Sequence, residues 1–216
     1  MYTIKVKKLI HDYEKIKSNI ENRVLDFKNL WDRGDDDEMF CELAFCLFTP
    51  QSKAKNCWET VNILKDKNLL YSGKAETLSV HMNMVRFRNN KAKYLVLARK
   101  IFIKDKTPKI KNKISVLLKT GDARDWLVNN VKGLGFKEAG HFLRNIGGDF
   151  NYAILDRHIL KNLKYMGIID SIPKTISKKL YIEFEKKMQN FAQHINIPIS
   201  HLDLLLWYKQ AGEIFK

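Results

Sequence analysis

The chain has 216 residues, of which 39 are Lys or Arg and 24 are Asp or Glu, leaving a formal charge of +15. A polyanion is the natural partner of such a surface, because basic side chains that neutralise phosphates release condensed counterions. No apolar run reaches bilayer-spanning length, and the opening MYTIKVKKLI lacks the apolar core of a signal peptide, so membrane classes are set aside and a soluble intracellular monomer is expected.

Helical periodicity runs through nearly the whole chain and alternating patterns are almost absent, which makes the fold class all-α. Leu9, Ile10, Tyr13, Ile16, Ile20, Val24, Phe27 and Leu30 recur at three- and four-residue steps. A break is expected near Ser18, which with Glu21 could form a capping box. Asp35 to Asp37 suit a helix start, and EMFCELAFCLF, apolar on nearly every side until Pro50, reads as a central buried helix.

Cys41, Cys46 and Cys57 fall in these apolar patterns, as reduced core thiols do. There is no Cys-x-x-Cys pair, no fourth thiolate and no His-x-x-x-His spacing, so no metal or other cofactor is expected. Further helices are expected over residues 52–67, 74–84, 89–104, 109–119, 122–131, 137–146, 153–166, 176–195 and 199–211, the last begun by Pro198 or Ser200 and closed near Gly212. These elements suggest two helical lobes with the active site in the cleft between them. Residues 35–120 form one lobe, and residues 1–34 with 121–216 form the other, which carries the candidate catalytic residues.

The most informative stretch runs from Ala123 to Leu160, where two helical patterns are joined by Lys132-Gly133-Leu134-Gly135. Two glycines one residue apart let a backbone approach closely, and the unpaired amides at the next helix start can hold a phosphate oxygen. A plain helix-helix connection has the same letters. Lys137 follows two residues after Gly135, in the first helical turn. With a reference pKa near 10.4, only about one lysine in 2,500 is neutral at pH 7, so a nucleophilic role needs burial, cationic neighbours or a helix dipole to favour the free amine. Lys132, Arg144 and the helix start supply the last two, although a solvated surface lysine is the ordinary alternative in so basic a chain. Asp156, after the apolar Ala-Ile-Leu run, opens another helix as an N-cap, a functional carboxylate, or both.

KGLGFKEAGHFLRN followed by AILDRHIL resembles the helix-hairpin-helix DNA glycosylase superfamily, and the chain is similar throughout to the type 2, archaeal-type 8-oxoguanine DNA glycosylase/AP lyases. FCELAFCLFTPQSKA, RFRNNKAKYLV, IPKTISKKLYIE and the tail LDLLLWYKQAGEIFK carry the rest of the resemblance. Lys132 stands where a proline often precedes the first glycine, and the cluster cysteines of endonuclease III relatives are missing.

The resemblance implies a prokaryotic repair enzyme acting on double-stranded DNA that contains 8-oxoguanine. Lys137 attacks the sugar of an extruded nucleotide and forms a Schiff base, Asp156 stabilises the developing positive charge, and β-elimination nicks the strand. The amides of Gly133 and Gly135, together with Lys132, His158 and Arg157, would hold phosphates, although His158 and Arg157 could be ordinary surface residues. Extrusion needs a side chain to fill the gap, and Phe87 beside Arg86 is the wedge candidate, with core packing as its alternative. Gln51 could probe the orphaned base or be merely solvated.

Oxidation turns guanine N7 into a donor, so one buried acceptor could discriminate the lesion. The family's C-terminal lysine reaches the base pocket, a role open to Lys216, and Trp207 could stack on the base; a solvated tail lysine and a core tryptophan are the alternatives. Two rival functions remain, a non-catalytic helix-hairpin-helix module and a bifunctional glycosylase for oxidised pyrimidines.

Overall fold

The computed structural model describes residues 2–105 and 107–216, and among these the chain is helical apart from turns and one short β-pair. In order, the elements are α1 (Tyr2–Arg33), α2 (Asp36–Phe48), α3 (Ala54–Asp66), α4 (Ala75–Val80), α5 (Arg88–Phe102), β1 (Ile103–Lys104), β2 (Thr107–Pro108), α6 (Lys111–Thr120), α7 (Ala123–Asn130), α8 (Phe136–Asn145), α9 (Arg157–Tyr165), α10 (Lys178–His194) and α11 (Ile199–Ala211). The strands pair antiparallel, Ile103 with Pro108 and Lys104 with Thr107. None of these helices is long and apolar enough to cross a membrane.

Two compact units emerge, residues 30–148 and residues 1–29 with 149–216. This division differs from the 35–120 boundary expected from sequence, because the hairpin helices α7 and α8 belong with the central unit. The reason is burial: α8 packs on α2, and Ala139, Phe142, Leu143 and Ile146 leave water there entirely. Linear order places α8 next to the C-terminal helices, whereas apolar area places it on α2.

In the central unit, α2 starts at Asp35, whose carboxylate accepts from the Glu38 amide at 2.9 Å, and every residue from Met39 to Phe48 is buried. Phe40, Phe45 and Phe48 are enclosed completely, so this helix is the axis around which α3, α5 and α8 assemble. The three thiols are buried and free. Burial pushes Cys41 and Cys57 up to about 11 and Cys46 well above its ordinary value, which keeps all three protonated. On α5 the buried stripe contains two cations: Lys91 at its start and Arg99, whose guanidinium donates to the carbonyls of Leu69, Leu70 and Gly73.

The terminal unit contains α1 up to Asn29 and α9 to α11. The break expected at Ser18 does not occur; α1 continues for 32 residues. Leu9, Tyr13, Ile16, Ile20, Val24 and Phe27 form one buried stripe that passes Ser18 without interruption, and Ser18 sits on the exposed face where it has no cap to make. The helix expected over 153–166 begins only at Arg157. Ala153, Ile154 and Leu155 are instead a buried non-helical strap, with the Ala153 amide donating to Glu185 Oε1 at 2.9 Å and Tyr181 Oη donating to the Ala153 carbonyl at 2.7 Å.

Phe45→Ala is expected to lower unfolding free energy by about 3 to 5 kcal/mol, read by urea denaturation, since its ring is fully enclosed and edge-on to both Trp58 and His141.

Candidate active site

The hairpin is built from burial and backbone geometry together. Val131 and Leu134 are buried and hold the turn to the unit, while Gly133 between them takes φ +100°. A Cβ added to Gly133 would lie 2.5 Å from Tyr94 Cδ2 and 3.2 Å from Leu47 Cδ2. Gly133 is therefore required both by its dihedral and by protein packing on its own side. Gly135 differs: its φ of −100° and ψ of −175° are extended, and an added Cβ would meet only the flexible end of Glu138 at 3.1 Å.

Glu138, in the first turn of α8, reaches back so that Oε2 accepts from the Gly135 amide at 3.3 Å. Its other oxygen lies 3.7 Å from Lys137 Nζ. A carboxylate thus lies beside Lys137, and the buried cation Lys91 is near enough for the two charges to repel. Arg144 is withdrawn into the core, donating through Nε and Nη2 to Asn145 Oδ1 at 3.2 and 3.0 Å, and Asn145 in turn donates to Glu42 Oε2 at 3.0 Å. The Lys137 side chain is 21% exposed, and Lys132 on the turn is exposed.

Two loops of the same unit carry Gln51, Arg86 and Phe87. Phe87 does not join the core; it is 55% exposed, caps α5 from a left-handed conformation at φ +59°, and lies 5.6 Å from the Arg86 guanidinium carbon. Gln51 is exposed and also left-handed, at φ +56°. Ser52 Oγ accepts from the Arg86 amide at 3.0 Å, tying the loops together.

In the terminal unit, Asp156 caps α9, its Oδ1 accepting from the amides of His158 and Ile159 at 2.8 and 2.7 Å. The cap is real and holds the carboxylate rigidly. His158 lies on the half-buried Trp207, ring centroids 5.8 Å apart at 56°. Arg157 is exposed and Lys216 half-buried. Lys132, Gly133, Gly135 and Lys137 thus share one hairpin, Gln51, Arg86 and Phe87 share linked loops, and Asp156, Arg157, His158, Trp207 and Lys216 belong to the other unit.

A family model described as 8-oxoguanine DNA glycosylase matches residues 20–197. A Fusobacterium nucleatum protein named 8-oxoguanine DNA glycosylase/AP lyase is 48% identical over 204 residues, covering 94% of each chain. The chain belongs to the 8-oxoguanine DNA glycosylase family. A relative of the same name from Methanocaldococcus jannaschii is 36% identical over 203 residues, 93% of each chain. The crystal structure of the M. jannaschii glycosylase/lyase in complex with 15mer DNA containing 8-oxoguanine superposes with a TM-score of 0.87 at 34% identity, over 99% of this chain and 100% of that one. The family span holds the hairpin, Lys137, Asp156 and both loops, while Trp207 and Lys216 lie beyond it.

In this glycosylase-family chain the sequence reading missed Glu138 and Lys91. Glu138 was legible as an acid three residues after a helix-start glycine, the second half of a capping box. Lys91 was legible only as a lysine on the Leu95, Ala98 and Phe102 stripe, a position that should be apolar.

Gly133→Ala is expected to destabilise the fold by about 2 kcal/mol or more and to weaken duplex binding, while Gly135→Ala changes unfolding by under about 1 kcal/mol; urea titrations and a fluorescence anisotropy series with duplex DNA compare the two.

Proposed function

We propose that this protein excises 8-oxoguanine from double-stranded DNA and then cleaves the abasic site, with Lys137 as nucleophile and Asp156 as the stabilising carboxylate. The observation that carries the reading is family membership over residues 20–197 with a half-buried lysine in the first turn of the hairpin's second helix. Relatives named glycosylase/AP lyase favour catalysis over a module that only grips DNA, and their named lesion favours 8-oxoguanine over oxidised pyrimidines.

The chemistry follows from the groups present. Attack needs the free amine, and the Glu138 carboxylate 3.7 Å from Nζ is an acceptor for the departing proton. As the N–C1′ bond forms, the glycosidic bond breaks and its electron pair leaves with the base, which takes up a proton. Positive charge on the sugar is greatest in this step, and a fixed carboxylate such as Asp156 lowers its energy. Opening of the C1′–O4′ bond gives the Schiff base. The imine acidifies C2′–H, so loss of that proton expels the 3′ phosphate.

The base must leave the stack, at a cost of a few kcal/mol. We assign Phe87 to fill the vacated space, with Arg86 and Gln51 beside it. The exposed ring, held away from the core by a left-handed backbone, supports this role. Lys132 and the turn glycines, with Arg157 and His158, hold phosphates, and Trp207 with Lys216 faces the extruded base. We infer a location in the cytoplasm or nucleoid of a prokaryote, a reading that a DNA substrate and similarly named relatives from a bacterium and an archaeon support.

Borohydride added to protein and a duplex bearing one 8-oxoguanine should give a covalent adduct, and thymine glycol or uracil in its place should not. Lys137→Gln abolishes the adduct while leaving DNA affinity largely intact. Asp156→Asn keeps an Oδ1 acceptor for the α9 amides, so the fold survives, yet base release slows about a hundredfold or more. An adduct that persists in Lys137→Gln would contradict the assignment.

A further inference from the structure

Lys91 is a lysine only 3% exposed, one turn into α5. Its Nζ donates to the Phe48 carbonyl at 2.7 Å, the Pro50 carbonyl at 2.6 Å and Ser52 Oγ at 3.1 Å, so all three N–H groups of an ammonium have acceptors. Two of these acceptors lie at and just beyond the end of α2, where Pro50 has stopped the helix and carbonyls lose their intrahelical partners. The third, Ser52 Oγ, also accepts from the Arg86 amide. Beyond Arg86, the Phe87 carbonyl accepts from the amides of Asn90 and of Lys91 itself, at 3.0 and 3.1 Å.

One buried side chain thereby ties the loop of Gln51 to the loop of Phe87. Both loops display a non-glycine residue in the left-handed region, exposed to solvent. A conformation of that kind persists only where its surroundings over-determine it. Phe87 makes no core contribution that would justify the cost, and Gln51 caps no helix.

We propose that Lys91 is a positioning residue that locks the Gln51 and Phe87 loops in the geometry needed to open the duplex at the lesion. The proposal rests on the functional reading above and adds the device that holds the opening side chains. Lys91 touches no reacting atom; it acts through the loops.

The charge state of the pin adds a second handle. Burial pulls Lys91 down to about 8, with Cys57 on α3 and Glu138 on α8 opposing the shift and Arg86 and Lys137 adding to it. Below that pH the ammonium serves three acceptors. Above it the neutral amine has two N–H groups and one acceptor loses its donor.

The test compares two substrates with the full-length protein. One is a duplex with 8-oxoguanine, which must be opened; the other is a single strand with a preformed abasic site, which has no partner base and needs no wedge. Lys91→Met is expected to slow borohydride trapping on the duplex about tenfold or more while trapping on the single strand stays within about twofold, the size expected for losing a charge-assisted hydrogen bond. Ser52→Ala, which removes the shared acceptor but spares the two carbonyl contacts, gives the same selective loss at smaller size and covers the case where Lys91→Met does not fold. In the wild type the duplex-to-single-strand ratio falls as pH passes about 8, and Lys91→Arg, permanently charged, removes that fall.

Equal losses on both substrates, or no loss on either, overturn the positioning role, as does a wild-type ratio independent of pH. Absence of any wild-type adduct overturns the functional reading and this proposal with it.

Discussion

Tyr94 lies so close over Gly133 that a single added carbon would meet its ring at 2.5 Å, and this contact sets where α8 begins. Glycine at φ +100° turns the chain beneath the ring, Leu134 follows into the core, and Gly135 opens the helix in extended geometry. Lys137 then falls in the first turn, where its side chain is only partly exposed and Glu138 is beside it. The glycine pattern that reads from sequence as room for a phosphate is, at Gly133, also room for a tyrosine. A turn gripped from inside presents its outer surface at a fixed place, which is what a site holding a flexible polyanion requires.

Glu138 gives the hairpin a second property. A carboxylate accepting from Gly135 N–H and lying 3.7 Å from Lys137 occupies the positive end of α8 before any substrate does. An anion arriving at that amide would compete with a carboxylate already there.

The central unit also uses buried cations in an uncommon way. Lys91 and Arg99 on α5 donate to main-chain carbonyls of neighbouring loops. Burying a cation is costly unless its donors are satisfied, and here the acceptors are loop carbonyls that helices can no longer serve. The result is a helix that fixes two loops at once. In the terminal unit the same task falls to Tyr181 and Glu185, which hold the strap of Ala153 to Leu155 and so fix the Asp156 cap at the start of α9.

The amino-acid order by itself determined the helical class, the buried character of α2, the hairpin turn, and the helix starts that carry Lys137 and Asp156. These are local: period, glycine spacing and capping chemistry act within a few residues, and Asp35 and Asp156 cap helices as their neighbours imply. Tertiary structure decided the rest. The stripe of Ile16, Ile20 and Val24 runs past Ser18 in the sequence, yet that it outweighs the local capping signal is decided only once those side chains are buried. The Ala153 to Leu155 run is apolar enough for a helix and becomes a strap because Tyr181 and Glu185, some thirty residues on, take its polar groups. Phe87 faces water and Lys91 faces inward, the reverse of their chemistry, because loop carbonyls left open by Pro50 and the Ser52 hydroxyl need a cation more than the core needs a methylene. Side-chain orientation depends on which partners arrive from elsewhere in the chain, and only the assembled fold supplies them.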